Sequence, residues 1–124
     1  MNAAKYRVIT TVYAFLILAV STIPGRTVQD LIFGWDKAFH FLEYAVLGGL
    51  LVKSLTHRDQ KRIASIVTGG LLFAAVDESW QAVISERDAS VYDWIADTLG
   101  VAAGIALLLV WIVRPRLTGD RIHE

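Results

Sequence analysis

The sequence predicts an all-α polytopic membrane protein, a bundle of four antiparallel transmembrane helices with the N- and C-termini in the cytoplasm. Three observations lead to this fold class. Hydrophobic residues make up 55% of the 124 positions and the mean hydropathy is +0.49, which is too apolar for a soluble domain of this length. The apolar residues form four separate runs, and the basic residues gather at alternate connections between them. Residues 1–124 are therefore expected to form a single membrane domain.

The predicted helices cover residues 8–23, 38–55, 63–84 and 91–113. Each run is close to the roughly 20 residues that a helix needs to cross about 30 Å of hydrocarbon. The first run follows Lys5 and Arg7 and ends near the small residues Ala19 and Ser21, so it also resembles a secretory signal. We expect it to be retained as a helix, because an even number of spans places both basic termini on one side.

Short connections and small residues predict how the later helices pack. The connections at residues 56–62 and 85–90 are tight, so the second and third runs, and the third and fourth, should be antiparallel neighbours. Small residues let helix backbones approach closely in a membrane. They occur at Gly48, Gly49, Gly69, Gly70, Gly100 and Gly104, the last two forming a Gly-x-x-x-Gly in the fourth run.

Basic residues set the predicted orientation. Of the twelve Lys and Arg residues, nine fall at the N-terminus, the second connection and the C-terminus, and only Arg26, Lys37 and Arg87 fall on the opposite side. The positive-inside rule therefore places the nine-residue side in the cytoplasm. Acidic residues show the reverse distribution, with three of twelve inside and nine outside. Acidic residues contribute little to orientation, so their excess outside needs a separate explanation.

Ionisable residues lie in or at the mouths of three apolar runs, all on the predicted outer side. Asp36, His40 and Tyr44 are spaced four apart on the second run, so they form one stripe of a helix. The third and fourth runs contribute further polar groups at similar depth, namely Asp77, Glu78, Gln81, Asp93 and Asp97. A charge at the centre of a membrane helix costs about 2.5 to 3.5 kcal/mol on insertion scales, so a chain that keeps several is expected to use them.

Three kinds of chemistry fit such a pocket. Neighbouring carboxyl groups can share a proton and act as an acid/base pair, which makes His40, Glu78 and Asp93 the catalytic candidates of an intramembrane hydrolase. His40 with carboxylates can instead hold a divalent cation. The Asp-Glu-x-x-Gln segment lacks the histidines of a zinc helix, however, and the chain contains no cysteine. The third option is recognition of a cationic or polyhydroxylated ligand.

A structural role is the alternative to all three. The charges can pair with one another and join helices, as in a subunit of a membrane complex, at about 0.6 to 2 kcal/mol per polar contact. Lys37 and Arg87 are too few to neutralise the carboxylates around them. This surplus of negative charge favours a functional site over a purely structural network.

Three sequence blocks resemble the VanZ-like family of small bacterial membrane proteins. They are WDKAFHFLEYAVLG at residues 35–48, DESWQ at 77–81 and RDASVYDWIADTLG at 87–100, and the resemblance covers nearly the whole chain. The positions that match the family's motif are Asp36, Lys37, His40, Tyr44, Glu78, Gln81, Arg87, Asp93 and Gly100. Asp97 departs from the motif, where Asn is expected. The resemblance implies a bacterial cell-envelope protein and a role linked to teicoplanin-type glycopeptide antibiotic resistance.

We therefore predict a multi-pass protein of the bacterial cytoplasmic membrane whose outward-facing pocket binds an amphiphilic envelope molecule, a lipid-linked glycan or a lipoglycopeptide. The predicted ligand-binding residues are Asp36, Lys37, His40, Tyr44, Glu78, Gln81, Arg87 and Asp93. Among them, Lys37 and Arg87 are expected to meet phosphate or carboxylate groups. Membrane lipid is an expected partner and an oligomer is compatible with the sequence. Nucleic-acid binding is not needed to explain the basic cytoplasmic segments, which suit anionic lipid.

Overall fold

The computed structural model describes residues 2–23, 35–84 and 90–119, and among these the side chains of residues 2–23, 35–83 and 90–112. Within those ranges the chain forms four helices and no strand. The helices are α1 (Ala3–Ser21), α2 (Asp36–Ser54), α3 (Gln60–Ile84) and α4 (Val91–Gly119). The predicted all-α class and the number of helices are confirmed.

Helix starts differ from the predicted boundaries where a polar residue caps the first turn. α1 begins at Ala3 rather than at residue 8, because the Asn2 side chain accepts a hydrogen bond from the Lys5 N–H at 3.1 Å. α3 begins at Gln60 rather than at residue 63, because the Asp59 carboxylate accepts from the Arg62 N–H at 3.0 Å. That same bond holds the pKa of the exposed Asp59 below its usual value.

Among the residues that the structure describes, three helices are long and apolar enough to cross a membrane, over Ala3–Ser21, Gln60–Val83 and Val91–Ile112. The chain is therefore a multi-pass membrane protein. α2 differs from these helices because its 19 residues include four charged ones, Asp36, Lys37, Glu43 and Lys53. The crossing of α2 and the cytoplasmic position of the termini stay predictions.

α2 and α4 form the tightest helix pair, and they pack through glycines. A Cβ atom placed on Gly100 would meet the carbonyl oxygen of Phe41, and one on Gly104 would meet the carbonyl oxygen of Ala45. From α2, a Cβ on Gly48 would meet the Val101 backbone. The contacts from α2 to α4 advance in the same chain direction, so these two helices are parallel. α3 contacts both of them, as the short connections predict.

α1 lies against α2 and α3 and is attached at both ends. The fully buried Ile17 joins the apolar core, and the Tyr13 hydroxyl donates to the carbonyl oxygen of Glu43 at 3.1 Å. At the start of α1, the Arg7 side chain donates to the Ser54 carbonyl oxygen at 3.2 Å and to the Thr56 hydroxyl at 2.8 Å. Arg7 thereby satisfies a carbonyl at the end of α2 that has no partner within the helix.

Candidate functional site

Polar side chains from all four helices meet at one end of the bundle, where α1 and α3 end and α2 and α4 begin. We call this the polar end. Asp36, His40 and Tyr44 follow one another at intervals of one turn along α2. Each of them, or its neighbour, contacts a different acidic residue of α3 or α4, so the stripe predicted from the sequence becomes three layers of interhelical contacts.

The first layer is an ion-pair cluster at the start of α2. The Lys37 ammonium lies 2.9 Å from Oδ2 of Asp36 and 2.9 Å from Oδ1 of Asp93, which joins α2 to α4. The Lys37 side chain is 52% exposed, so these pairs contribute little to stability. Lys37 already has two carboxylate partners before any anionic ligand arrives.

The second layer pairs His40 with a buried carboxyl group. Nδ1 of His40 lies 2.9 Å from Oδ1 of Asp97, and the Asp97 side chain has no exposed surface. This contact orients the imidazole ring and leaves Nε2 as its second functional nitrogen. The other Asp97 oxygen, Oδ2, and the Thr98 hydroxyl are buried and have no hydrogen-bond partner among the residues that the structure describes.

The third layer is centred on Asp77, which is fully buried and links three helices. The Ser21 hydroxyl of α1 lies 2.5 Å from Oδ1 of Asp77, and the Tyr44 hydroxyl of α2 donates to Oδ2 at 3.0 Å. The Gln81 amide donates to Oδ2 at 3.3 Å. Burying a carboxyl group requires such partners, because its lost hydration must be replaced.

Ser21 is the residue of this network that the sequence did not single out as a site residue. It ends an apolar run and is part of the small-residue sequence that resembles a signal cleavage site. The available signal was a hydroxyl at the end of an apolar run, at the predicted depth of the acidic residues. Such a hydroxyl is a suitable donor for a carboxyl group on a neighbouring helix.

Glu78 is directed to α4 and not to the layers on α2. Its Oε1 accepts a hydrogen bond from the Ser90 N–H at 2.5 Å, immediately before α4 begins. Its Oε2 is buried and has no hydrogen-bond partner among the described residues. Glu78 therefore caps the N-terminus of α4 through one oxygen only.

Two grooves open at the polar end, and four of the predicted site residues line one or the other. The α1–α2 groove has a volume of about 470 Å³ and includes Asp36, His40 and Gln81. The α3–α4 groove has a volume of about 490 Å³ and includes Glu78. Tyr44 is buried beneath the surface and Arg87 lies outside the described residues. The structure thus brings most of the predicted residues to one end of the bundle, but on two faces.

The His, Asp and Glu side chains that the structure describes do not form a metal centre. No group of three or more His, Cys, Asp or Glu side chains is arranged there to hold a metal ion. The contact closest to a metal-binding arrangement is the His40 and Asp97 pair, which offers a single imidazole and a single carboxyl group. Structural and catalytic zinc sites use at least three protein ligands.

The comparison with protein-family models agrees with the resemblance that the three sequence blocks carry. The model of the VanZ/LLP1 family matches residues 3–113. Searches of curated proteins and of solved structures found no match. The matched range contains the three layers of the polar end and the glycines that join α2 to α4. The resemblance is confirmed, and this chain belongs to the VanZ/LLP1 family.

Proposed function

We propose that this VanZ/LLP1 membrane protein binds the polar head of an amphiphilic envelope molecule in the α1–α2 groove. The observation that supports the proposal is the composition of this groove. Its wall combines polar groups, including Asp36, His40 and Gln81, with apolar side chains in a space of about 470 Å³. This volume lies within the range of small-molecule sites, roughly 300 to 1,000 Å³.

The charges of the groove favour a ligand head that donates hydrogen bonds. Asp36 and Glu43 bring carboxylates to its wall. Lys37, the cation beside them, is already shared between Asp36 and Asp93. Sugar hydroxyls and amines suit such an acceptor-rich wall. A lipid-linked glycan or a lipoglycopeptide carries these groups in its head.

The apolar part of the groove fits the remainder of an amphiphile. Val20, Phe39, Leu42 and Val46 line the groove and are about half exposed. A lipid tail can lie along these side chains while its head remains at the polar end. Under the orientation predicted by the basic residues, the polar end faces outward. Lipid-linked glycans and lipoglycopeptides would then enter from the outer leaflet.

The experiment compares lipids retained by two histidine variants. Wild type, His40→Ala and His57→Ala are purified in mild detergent, and bound lipids are identified by mass spectrometry. His57 is an exposed residue between α2 and α3, far from the groove, and serves as the matched control. We expect wild type and His57→Ala to retain a glycan-bearing lipid and His40→Ala to lose it at least tenfold. Equal retention by all three proteins would contradict binding in this groove.

The His40 and Asp97 pair supports a second candidate, an intramembrane hydrolase. A histidine oriented through Nδ1 by a buried carboxyl group can act as a general base through Nε2. His40 also lines the groove, so its ring is next to the space that a ligand would occupy. In this reaction Asp97 would position the base without touching the substrate.

The two candidates differ in what is recovered after incubation. A lipid-linked glycan is incubated with the protein, and the products are followed by mass spectrometry. A binding protein returns the ligand intact, whereas a hydrolase releases a cleaved head. For the hydrolase we expect His40→Ala to abolish release and Asp97→Asn to slow it at least tenfold, with both variants still folded. Recovery of only intact ligand from wild type would refute the hydrolase.

A further inference from the structure

The α3–α4 groove is a second cavity, and none of the described residues lines both it and the α1–α2 groove. Its volume is about 490 Å³. Most of its wall is apolar, including Ala82, Val83 and Val91. Glu78 is the only ionisable residue among the described residues that line it, and Trp94 forms part of the same wall.

Glu78 carries more hydrogen-bonding capacity than its contacts use. The residue is 9% exposed, and Oε1 accepts from the Ser90 N–H. Oε2 is buried without a hydrogen-bond partner among the described residues. Capping α4 requires one oxygen, which Asn, Ser or Asp could supply. A buried acceptor without a donor costs free energy. We therefore expect Oε2 to have a donor that the described residues do not supply.

We propose that the α3–α4 groove binds the primary ammonium group of an amphiphile between Glu78 and Trp94. A carboxylate in an apolar wall favours a cationic donor over a neutral one, because a charge-assisted hydrogen bond is stronger. The indole face of tryptophan is the best aromatic partner of a cation. The torsion that carries the two oxygens of a glutamate is broad, so a modest rotation brings Oε2 to the groove.

The hydrogen bond decides between kinds of ammonium. A quaternary ammonium has no N–H group to donate to Oε2, whereas a primary ammonium has three. The apolar side chains Ala82 and Val83 then contact the hydrocarbon part of the ligand. This chemistry is shared by an ethanolamine phospholipid of the bilayer and by a free amphiphilic amine. The site is independent of the envelope molecule proposed for the α1–α2 groove.

The test measures lipid preference by native mass spectrometry. The delipidated full-length protein is mixed with phosphatidylethanolamine, phosphatidylcholine and phosphatidylglycerol of identical acyl chains. We expect wild type to retain phosphatidylethanolamine at least fivefold over the other two lipids, and Glu78→Gln to lose this preference. Asp59→Asn is the matched control, because it makes the same carboxylate-to-amide change at the exposed residue that caps the start of α3, and it should keep the preference. The proposal is overturned if wild type prefers neither phosphatidylethanolamine nor a free primary amine, dodecylammonium.

A second arm distinguishes the two sources of the ammonium group. Dodecylammonium is added alone, with dodecyltrimethylammonium as the quaternary comparison. Glu78-dependent binding of dodecylammonium without retention of phosphatidylethanolamine identifies a free amine as the ligand. Binding of the two detergents to the same extent, or binding that Glu78→Gln leaves unchanged, contradicts the proposed hydrogen bond.

A third variant keeps the proposal testable if Glu78→Gln fails to fold. Ala82 is exposed and lines the groove. Ala82→Phe therefore fills the groove and leaves Glu78 and its bond to Ser90 in place. We expect this variant to unfold at the wild-type temperature and to lose the ammonium preference. Unchanged preference in folded Ala82→Phe would show that the ammonium binds elsewhere.

Discussion

His40 of α2 and Asp97 of α4 lie with Nδ1 and Oδ1 2.9 Å apart, next to a close contact between the backbones of these two helices. One turn further along α4, Gly100 packs against the carbonyl of Phe41, the residue that follows His40. The absence of a side chain at Gly100 lets the two helices approach, and this brings the short Asp97 side chain within reach of the imidazole. Helix packing and the geometry of the site are therefore coupled.

The glycines of α4 should be sensitive even to alanine. Gly104→Ala would place its Cβ against the Ala45 backbone, which cannot move as a flexible side chain could. We expect a loss of about 1 to 3 kcal/mol in unfolding free energy, the usual cost of overpacking. Gly49→Ala is the control, because a Cβ there would meet no described atom of another helix within 4 Å. Unfolding in detergent monitored by circular dichroism measures both, and equal midpoints would refute backbone packing at Gly104.

Asp97→Asn should fold normally, in contrast to Asp97→Ala. An asparagine keeps an oxygen that accepts from Nδ1–H of His40 and removes a buried charge. Alanine removes the acceptor and leaves His40 without its partner, which should cost about 1 to 3 kcal/mol. Asn is also the residue that the family resemblance leads us to expect here. Thermal unfolding of the two variants checks the difference. If Asn destabilises as much as Ala, the charge of Asp97 is required for folding.

Tyr44→Phe should weaken the third layer by a measurable but small amount. It removes one donor to Asp77 and leaves Ser21 and Gln81 in place. Interhelical hydrogen bonds in membranes contribute about 0.6 to 2 kcal/mol, so we expect a loss in that range. Tyr92→Phe is the matched control, because Tyr92 is 72% exposed and its change should stay within about 0.5 kcal/mol.

Asp77→Ala should destabilise more than Tyr44→Phe. It removes the acceptor that Ser21, Tyr44 and Gln81 share. Ser21 keeps the Ile17 carbonyl oxygen at 3.0 Å and Gln81 keeps the Ser21 hydroxyl at 3.3 Å, so the buried Tyr44 hydroxyl is the donor that loses its acceptor. Each donor that stays buried without an acceptor costs about 1 to 3 kcal/mol. The unfolding midpoint in detergent ranks the two variants. A smaller effect for Asp77→Ala than for Tyr44→Phe would mean that Asp77 is not the centre of the layer.

The sequence predicts residues that share one helix better than contacts between helices. The spacing of Asp36, His40 and Tyr44 correctly predicts a stripe, because the helical period fixes which side chains are neighbours on one helix. That period contains no information on which carboxyl group of α3 or α4 each one meets. Adjacent residues also point about 100° apart on a helix, which is why Asp77 faces Tyr44 while Glu78 faces Ser90.

α2 should cross the membrane, although it has too many charges to count as a span by composition. Asp36, Lys37 and Lys53 lie at its two ends, so only Glu43 must be accommodated in the middle.

If α2 crosses the membrane, its flanking residues Trp35 and His57 lie on opposite sides. The chain has no cysteine, so Trp35→Cys and His57→Cys can each be labelled selectively with a membrane-impermeant maleimide. In intact cells, with the outer membrane permeabilised if there is one, we expect the maleimide to label Trp35→Cys. We expect it to label His57→Cys only after the cytoplasmic membrane is disrupted, because the positive-inside rule places the connection that contains His57 in the cytoplasm. Labelling of both from the same side would show that α2 does not cross, and the reverse pattern would show that the bundle is inverted.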